Sequence, residues 1–120
     1  MLPSAEQILK AHAFVARRHR LTSQADEPGV RAALAEAVQL AAGDPASEPA
    51  AVFYAFTRYR RAFGDGWRTM TVLLTQNQAR PYRIDATGDE FHTLMLAVSH
   101  HQFAFDDVRA WLAARLVETP

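Results

Sequence analysis

Residues 58–74 read RYRRAFGDGWRTMTVLL, from Arg58 to Leu74, and the fold turns on how this stretch is parsed. Just upstream, Ala51, Val52, Tyr54 and Ala55 form an apolar-periodic segment that runs into Arg58, Arg60 and Arg61. Phe63 follows, then a Gly-Asp-Gly turn over Gly64–Gly66, then a second periodic segment opening at Trp67. The pattern is helix, turn, helix. A glycine-rich turn feeding a helix leaves backbone N–H groups without intrahelical partners, and with the positive end of the macrodipole these attract anions. Asp65 is placed to hold a divalent cation beside them, with Arg68 on the first turn. The same residues also spell a plain helix corner, with glycine for the turn and Asp65 as N-cap. Spacing alone leaves both readings open.

Composition limits what surrounds this stretch. At 120 residues the chain holds one domain, 1–120, large enough for a single core and not for two. A 49% hydrophobic content with a formal net charge of +0 excludes long charged tails. The neutral balance argues against nucleic acid and anionic membrane as bulk electrostatic partners. With no cysteine there is no disulfide framework and no thiolate chemistry. No apolar run approaches the roughly 20 residues of a membrane span, and no apolar leader opens the chain, so a cytoplasmic location is expected. Lys10 is the single lysine amid many arginines and alanines, a usage associated with GC-rich bacterial coding.

Reading outward, Ser4 and Gln7 fit a capping box, and Ile8, His12 and Val15 form a helical stripe, which predicts a helix over about Ala5–Arg18. His12 on that stripe reads as a core histidine rather than a ligand. Asp26 is a candidate N-cap, with Glu27 and Pro28 in the first turn. Val30, Leu34, Val38 and Ala41 then mark a second helix, and Gly43 is its stop. DPASEP, Asp44–Pro49, reads as a surface loop. A third helix is expected from about Ala50 to Arg61 and a fourth from Trp67 to about Gln78, burying Met70, Val72 or Leu73, and Leu74. Pro81 precedes Tyr82, Arg83 and Ile84, which alternate as one short strand or hairpin would. Thr87 and Glu90 form a second capping box for a fifth helix carrying Phe91, Leu94, Met95 and Val98, ended by His100–Gln102. Asp106 and Asp107 favour the start of a sixth, with Val108, Trp111, Leu112 and Leu116 inward. The expected fold is all-α, a compact bundle of six helices.

The chain has no HExxH and no Cys, and His100 and His101, being adjacent, point apart, with His92 two turns earlier; none of this is a zinc pattern. Nor is there a nucleophile elbow for Ser/His/Asp catalysis. Arginine and aromatic residues interleave at Arg58, Tyr59, Arg61, Phe63, Trp67 and Arg68. That suits stacking with phosphate contact, but Phe63 and Trp67 fit a buried role equally well.

As a whole the chain resembles Doc-type members of the Fic/Doc family, small all-α toxins of bacterial and phage toxin–antitoxin modules. The resemblance runs over the opening ILKAH, then DEPGVRAALAEAV, AVFYAF, RPYRIDATGDE and the closing FHTLMLAVSHHQFAFDDVRAWLAARL. The family's signature loop reads His-x-Phe-x-Asp-(Gly/Ala)-Asn-Lys-Arg. Its His is the general base, its Asp holds magnesium, and the residues after it cradle the phosphates of ATP or another nucleotide. The reaction moves a phosphoryl or nucleotidyl group onto a protein hydroxyl. Phe63, Asp65 and Gly66 match this loop, and Arg68 keeps a charge at the lysine position. Arg61 stands where the His is expected, Trp67 where the Asn is, and Thr69 where the next Arg is. The resemblance therefore implies a metal residue at Asp65 and nucleotide or phosphate contacts from Gly64, Gly66, Trp67, Arg68 and Thr69. It also implies a break in the chemistry, because an arginine stays protonated and Arg61 cannot accept a proton. Loss of a positioned base removes about 10²–10⁴-fold in rate. Two outcomes stay open: altered or lost transfer on a ligand-binding Fic/Doc-like fold, or a pseudoenzyme that pairs with an antitoxin-like or other protein.

Overall fold

Most helix starts in the chain are fixed by a side chain that satisfies the first backbone donors. The computed structural model describes residues 2–20, 25–59, 66–74 and 82–118. Arg60, Arg61, Phe63, Gly64, Asp65, Gln78 and Pro81, singled out from the sequence, lie outside the described residues. Helix α1 spans Ala5–His19; Gln7 N–H donates to Ser4 Oγ at 3.2 Å and Ser4 N–H donates to Gln7 Oε1 at 2.8 Å. Helix α2 spans Glu27–Ala41, where Asp26 Oδ2 accepts from Gly29 N–H at 3.2 Å. At the start of α5, Gly88–Ser99, Thr87 and Glu90 repeat the reciprocal box, with bonds of 3.2 and 3.1 Å. Each such cap is worth about 1 kcal/mol. Helix α6, Phe105–Ala113, opens with the Asp107 carboxylate accepting from Ala104 N–H at 2.8 Å.

Helix α3 occupies Glu48–Arg58 and α4 occupies Gly66–Leu73. The DPASEP stretch is not wholly a loop. Pro45–Ser47 forms one turn of 3₁₀ helix with Ser47 buried, and Glu48 and Pro49 already belong to α3, where proline is tolerated in a first turn. Gly43 follows the end of α2 at φ 78°, but the left-handed turn begins one residue earlier, at Ala42, φ 51°, whose N–H donates to Val38 O.

Among the described residues there are six α-helices, and the all-α reading holds. The helix at the centre is α3 rather than α4. It packs on α2, α4, α5 and α6, and every residue from Ala50 to Thr57 is buried except Tyr54. A helix apolar all round belongs in the middle. Its Phe53 ring meets Phe91 of α5 at 5.7 Å, and Phe91 in turn meets Trp111 of α6 at 5.6 Å. Helix α4 lies between α1, α3 and α5 and buries Met70 and Leu73, and Leu74 directly after it is buried as well, as the pattern predicts.

Two expectations are corrected. The buried face of α2 is Val30, Ala33, Ala37 and Ala41, while Leu34 is half-buried and Val38 is 55% exposed. Helix α2 lies chiefly against α3, and its alanine row lets two backbones approach closely, so small residues outrank larger ones as the seam. Leu116 is not on α6. It opens strand β2, Leu116–Glu118, antiparallel to β1, Tyr82–Ile84, with Ile84 opposite Leu116. The strand near Tyr82 is thus completed by the end of the chain and not by a local hairpin, since a lone strand leaves its backbone groups unpaired. Arg115 ties this end together. Its guanidinium lies 3.7 Å over the Trp111 ring and donates to Trp111 O at 3.0 Å and to Glu90 Oε2 at 3.4 Å.

Candidate functional site

Helix α4 divides cleanly into two faces. Thr69, Met70, Leu73 and Leu74 are buried, whereas Trp67, Arg68, Thr71 and Val72 are half-buried. At about 100° per residue these sets fall on opposite sides of the helix. Thr69, 0% exposed, points to α1, where His12 Nδ1 lies 3.4 Å from Thr69 Oγ1. His12 is therefore the core histidine its position on the α1 stripe predicts.

The outer face of α4 forms the wall of a cleft of about 380 Å³. Trp67, Arg68, Thr71 and Val72 supply that wall; His19 enters from the end of α1, and Gly88, Asp89 and His92 from the first turns of α5. Trp67 and Val72 make it apolar. The Arg68 guanidinium sits 4.8 Å from the Trp67 ring centroid, and the His92 ring meets Trp67 at 5.3 Å and 45°. Thr71 turns its hydroxyl inward, donating to Trp67 O at 2.7 Å, so its polar atom is committed to the helix. Among the described residues, two imidazoles, one guanidinium and one carboxylate thus surround an aromatic wall.

Electrostatically, the start of α5 is already balanced. Asp89 and Glu90 occupy its first turn, and the Glu90 carboxyl is held below its ordinary value, first by the Thr87 backbone N–H and then by Arg115. An anion entering the cleft is drawn by side chains more than by that helix end. Such a lining, apolar with a few convergent polar groups, is the usual form of a small-molecule site.

Of the residues expected to hold phosphate, Trp67 and Arg68 come together here and Gly66 begins their helix. Thr69 lies on the other face, so it is not a cleft residue. His92 faces Trp67 rather than joining a metal cluster; among the described residues no group of three or more His, Asp or Glu is placed to hold a metal ion. His19 and Asp89 were not singled out from the sequence. The Thr87–Glu90 box does put Asp89 and His92 on one face of α5, three residues apart, but nothing in the sequence brings His19 to them.

A second cavity, about 280 Å³, is lined by Thr57, Arg58, Val98, Ser99 and His101. Among the described residues Thr57 Oγ1 is buried and has no hydrogen-bond partner. The chain matches no family model, no curated protein and no solved structure. Among the described residues no helix is long and apolar enough to cross a membrane.

Proposed function

We propose that this is a Fic/Doc-like protein whose cleft on α4 binds a nucleotide-like ligand, with the family's transfer chemistry altered or lost at Arg61. One observation carries the reading. Trp67 and Arg68, which directly follow the residues Gly64, Asp65 and Gly66 in sequence, line a single cleft together with His19 and His92. An aryl ring packs on Trp67 and Val72; His92, exposed, exchanges its own contact with Trp67 for the entering ring. The phosphate end is met by Arg68, whose planar fork pairs two oxygens at once. Magnesium held by Asp65 belongs to this reading, as does an antitoxin-like protein partner.

The test is nucleotide binding to the parent and to Arg68→Gln, by calorimetry, with and without magnesium. A charge-assisted bond is worth about 1.5–3 kcal/mol, so Arg68→Gln should weaken binding by about 10- to 150-fold with folding intact. A parent that binds no nucleotide at millimolar concentration refutes the reading and leaves the protein-interaction alternative.

A further inference from the structure

We infer that the second cavity, between the ends of α3 and α5, binds a phosphate group, free or as a small monoester. Thr57 and Arg58 are the last residues of α3, Val98 and Ser99 the last of α5, and His101 follows shortly after. Arg58 Nη1 donates to Tyr54 Oη at 3.2 Å, and the guanidinium lies 5.2 Å from the Tyr54 ring centroid. A guanidinium has several donors, so this bond holds the fork on its own helix without exhausting it. Thr57 is the telling side chain. Thr71 and Thr93 each donate to the carbonyl four residues back, at 2.7 and 3.1 Å, the usual outlet for a threonine hydroxyl on a helix. Among the described residues the buried Thr57 Oγ1 has no such partner. A buried hydroxyl is costly to leave unpaired. On a helix threonine has two open χ1 wells, so Thr57 reaches an acceptor in the cavity by side-chain rotation alone.

Both helices close at this cavity, and a helix C-terminus carries about half a negative charge, which opposes an anion. At α5 that end is covered. His100 N–H donates to Leu96 O at 2.9 Å, His101 N–H to Val98 O at 3.1 Å and Gln102 N–H to Ala97 O at 2.8 Å. The full charge of Arg58 outweighs what remains. The number of donors then sets the ligand class. A carboxylate offers two oxygens, which a guanidinium fork fills alone. Thr57, Ser99 and His101 add two hydroxyls and an imidazole around the same volume of about 280 Å³. A phosphate keeps three terminal oxygens even as a monoester, enough to use them. Ser99 Oγ donates to Met95 Sδ at 3.4 Å, a weak acceptor that an anionic oxygen displaces. This lining shares no residue with that of the α4 cleft, so the two sites are tested separately.

The probe is inorganic phosphate, titrated into the full chain at constant ionic strength and followed by amide ¹H–¹⁵N correlation spectra. Glycerol 3-phosphate and acetate are parallel arms, and Arg58→Gln and Thr57→Val are the variants, with folding checked by circular dichroism. The expected result is saturable movement of the Thr57, Arg58, Ser99 and His101 amides at millimolar phosphate or below, with acetate at least about tenfold weaker. Each variant should weaken phosphate by about tenfold or more, since each removes a hydrogen bond to a charged group. Thr57→Val should do so with its denaturation midpoint at or above the parent's, which separates loss of a ligand contact from loss of stability. Glycerol 3-phosphate binding tighter than phosphate identifies a monoester as the ligand, and the reverse order identifies the free ion. The inference is overturned if those four amides do not move, if acetate matches phosphate, or if neither variant weakens it. Movement confined to Arg68 and His92 would also overturn it, while leaving the α4 cleft as the phosphate site.

Discussion

Replacing Thr69 by arginine would introduce the residue that the resemblance to the Fic/Doc signature expects at that position, and the structure predicts that it damages the protein. Thr69 is 0% exposed, and its hydroxyl lies 3.4 Å from Nδ1 of His12, itself 4% exposed. An arginine there forces a guanidinium into the α1–α4 seam. Burying an unpaired ion costs several kcal/mol after relaxation, and inserting extra volume into a packed site adds about 1–3 kcal/mol. Partial escape of the long side chain along the helix reduces the total, leaving about 4 kcal/mol or more. At about 0.05–0.15 kcal/mol per residue, a chain of 120 residues has about 6–18 kcal/mol of stability. The change thus removes a large share. In urea, with a slope of about 1–3 kcal/mol per molar, the midpoint should fall by more than about 1 M. Arg68→Thr, one residue earlier on the half-buried face, should cost far less, about 1 kcal/mol, from the guanidinium lost over the Trp67 ring. The pair is informative because one rotation of α4 fixes both outcomes. A Thr69→Arg variant with the parent's midpoint would mean that Thr69 faces water, and the cleft built from Trp67 and Arg68 would be wrongly placed as well.

Other consequences follow from the packing and the caps. Phe53→Ala, in the central helix at 0% exposure, should cost about 3–5 kcal/mol in chemical denaturation, and a loss under about 1 kcal/mol would show α3 to be peripheral. Asp26→Ala should cost about 1 kcal/mol, since it removes the acceptor for Gly29 N–H, whereas Asp26→Asn should cost much less. Glu90 is lowered from 4.5 in the fold by Thr87 and Arg115, so its contribution is complete above that value and is lost as pH falls from there through the lower folded value. Glu90→Gln should therefore flatten the acid limb of stability against pH in that window; an unchanged acid limb would contradict the Thr87–Glu90–Arg115 linkage.

The features legible in the sequence were local ones. Ser4 with Gln7, Asp26 with Gly29 and Thr87 with Glu90 each act within one helical turn, so a chemical signal and its partner sit in the same short window. The four apolar positions that mark α5 all meet the core, Phe91, Leu94 and Val98 buried and Met95 half-buried against it. Helix α2 misled because Val38 outweighs Ala37 on any hydrophobic scale, while the seam with α3 selects for size. The pairing of Ile84 with Leu116 joins segments 32 residues apart, and no period reports it. The cleft was half legible for the same reason. Trp67 and Arg68 followed the quoted turn and drew notice, but His19, Asp89 and His92 arrive from two other helices. Thr69 was read as a phosphate contact by position in a motif, although its neighbours Met70 and Leu73 already marked that side as the core side.

Trp67 and Trp111 are the two tryptophans of the chain, and they report on different places. Trp67 lines the cleft, while Trp111 lies under the Arg115 guanidinium at 3.7 Å. An amide and indole ¹H–¹⁵N correlation spectrum recorded through titrations with AMP and with magnesium ATP tests the cleft directly. The account predicts that the Trp67 indole resonance moves saturably with at least one of them, together with the amides of Arg68 and His92, while the Trp111 resonance stays in place. Saturable movement of Trp111 with Trp67 unmoved, or no movement of either at millimolar nucleotide, would contradict it.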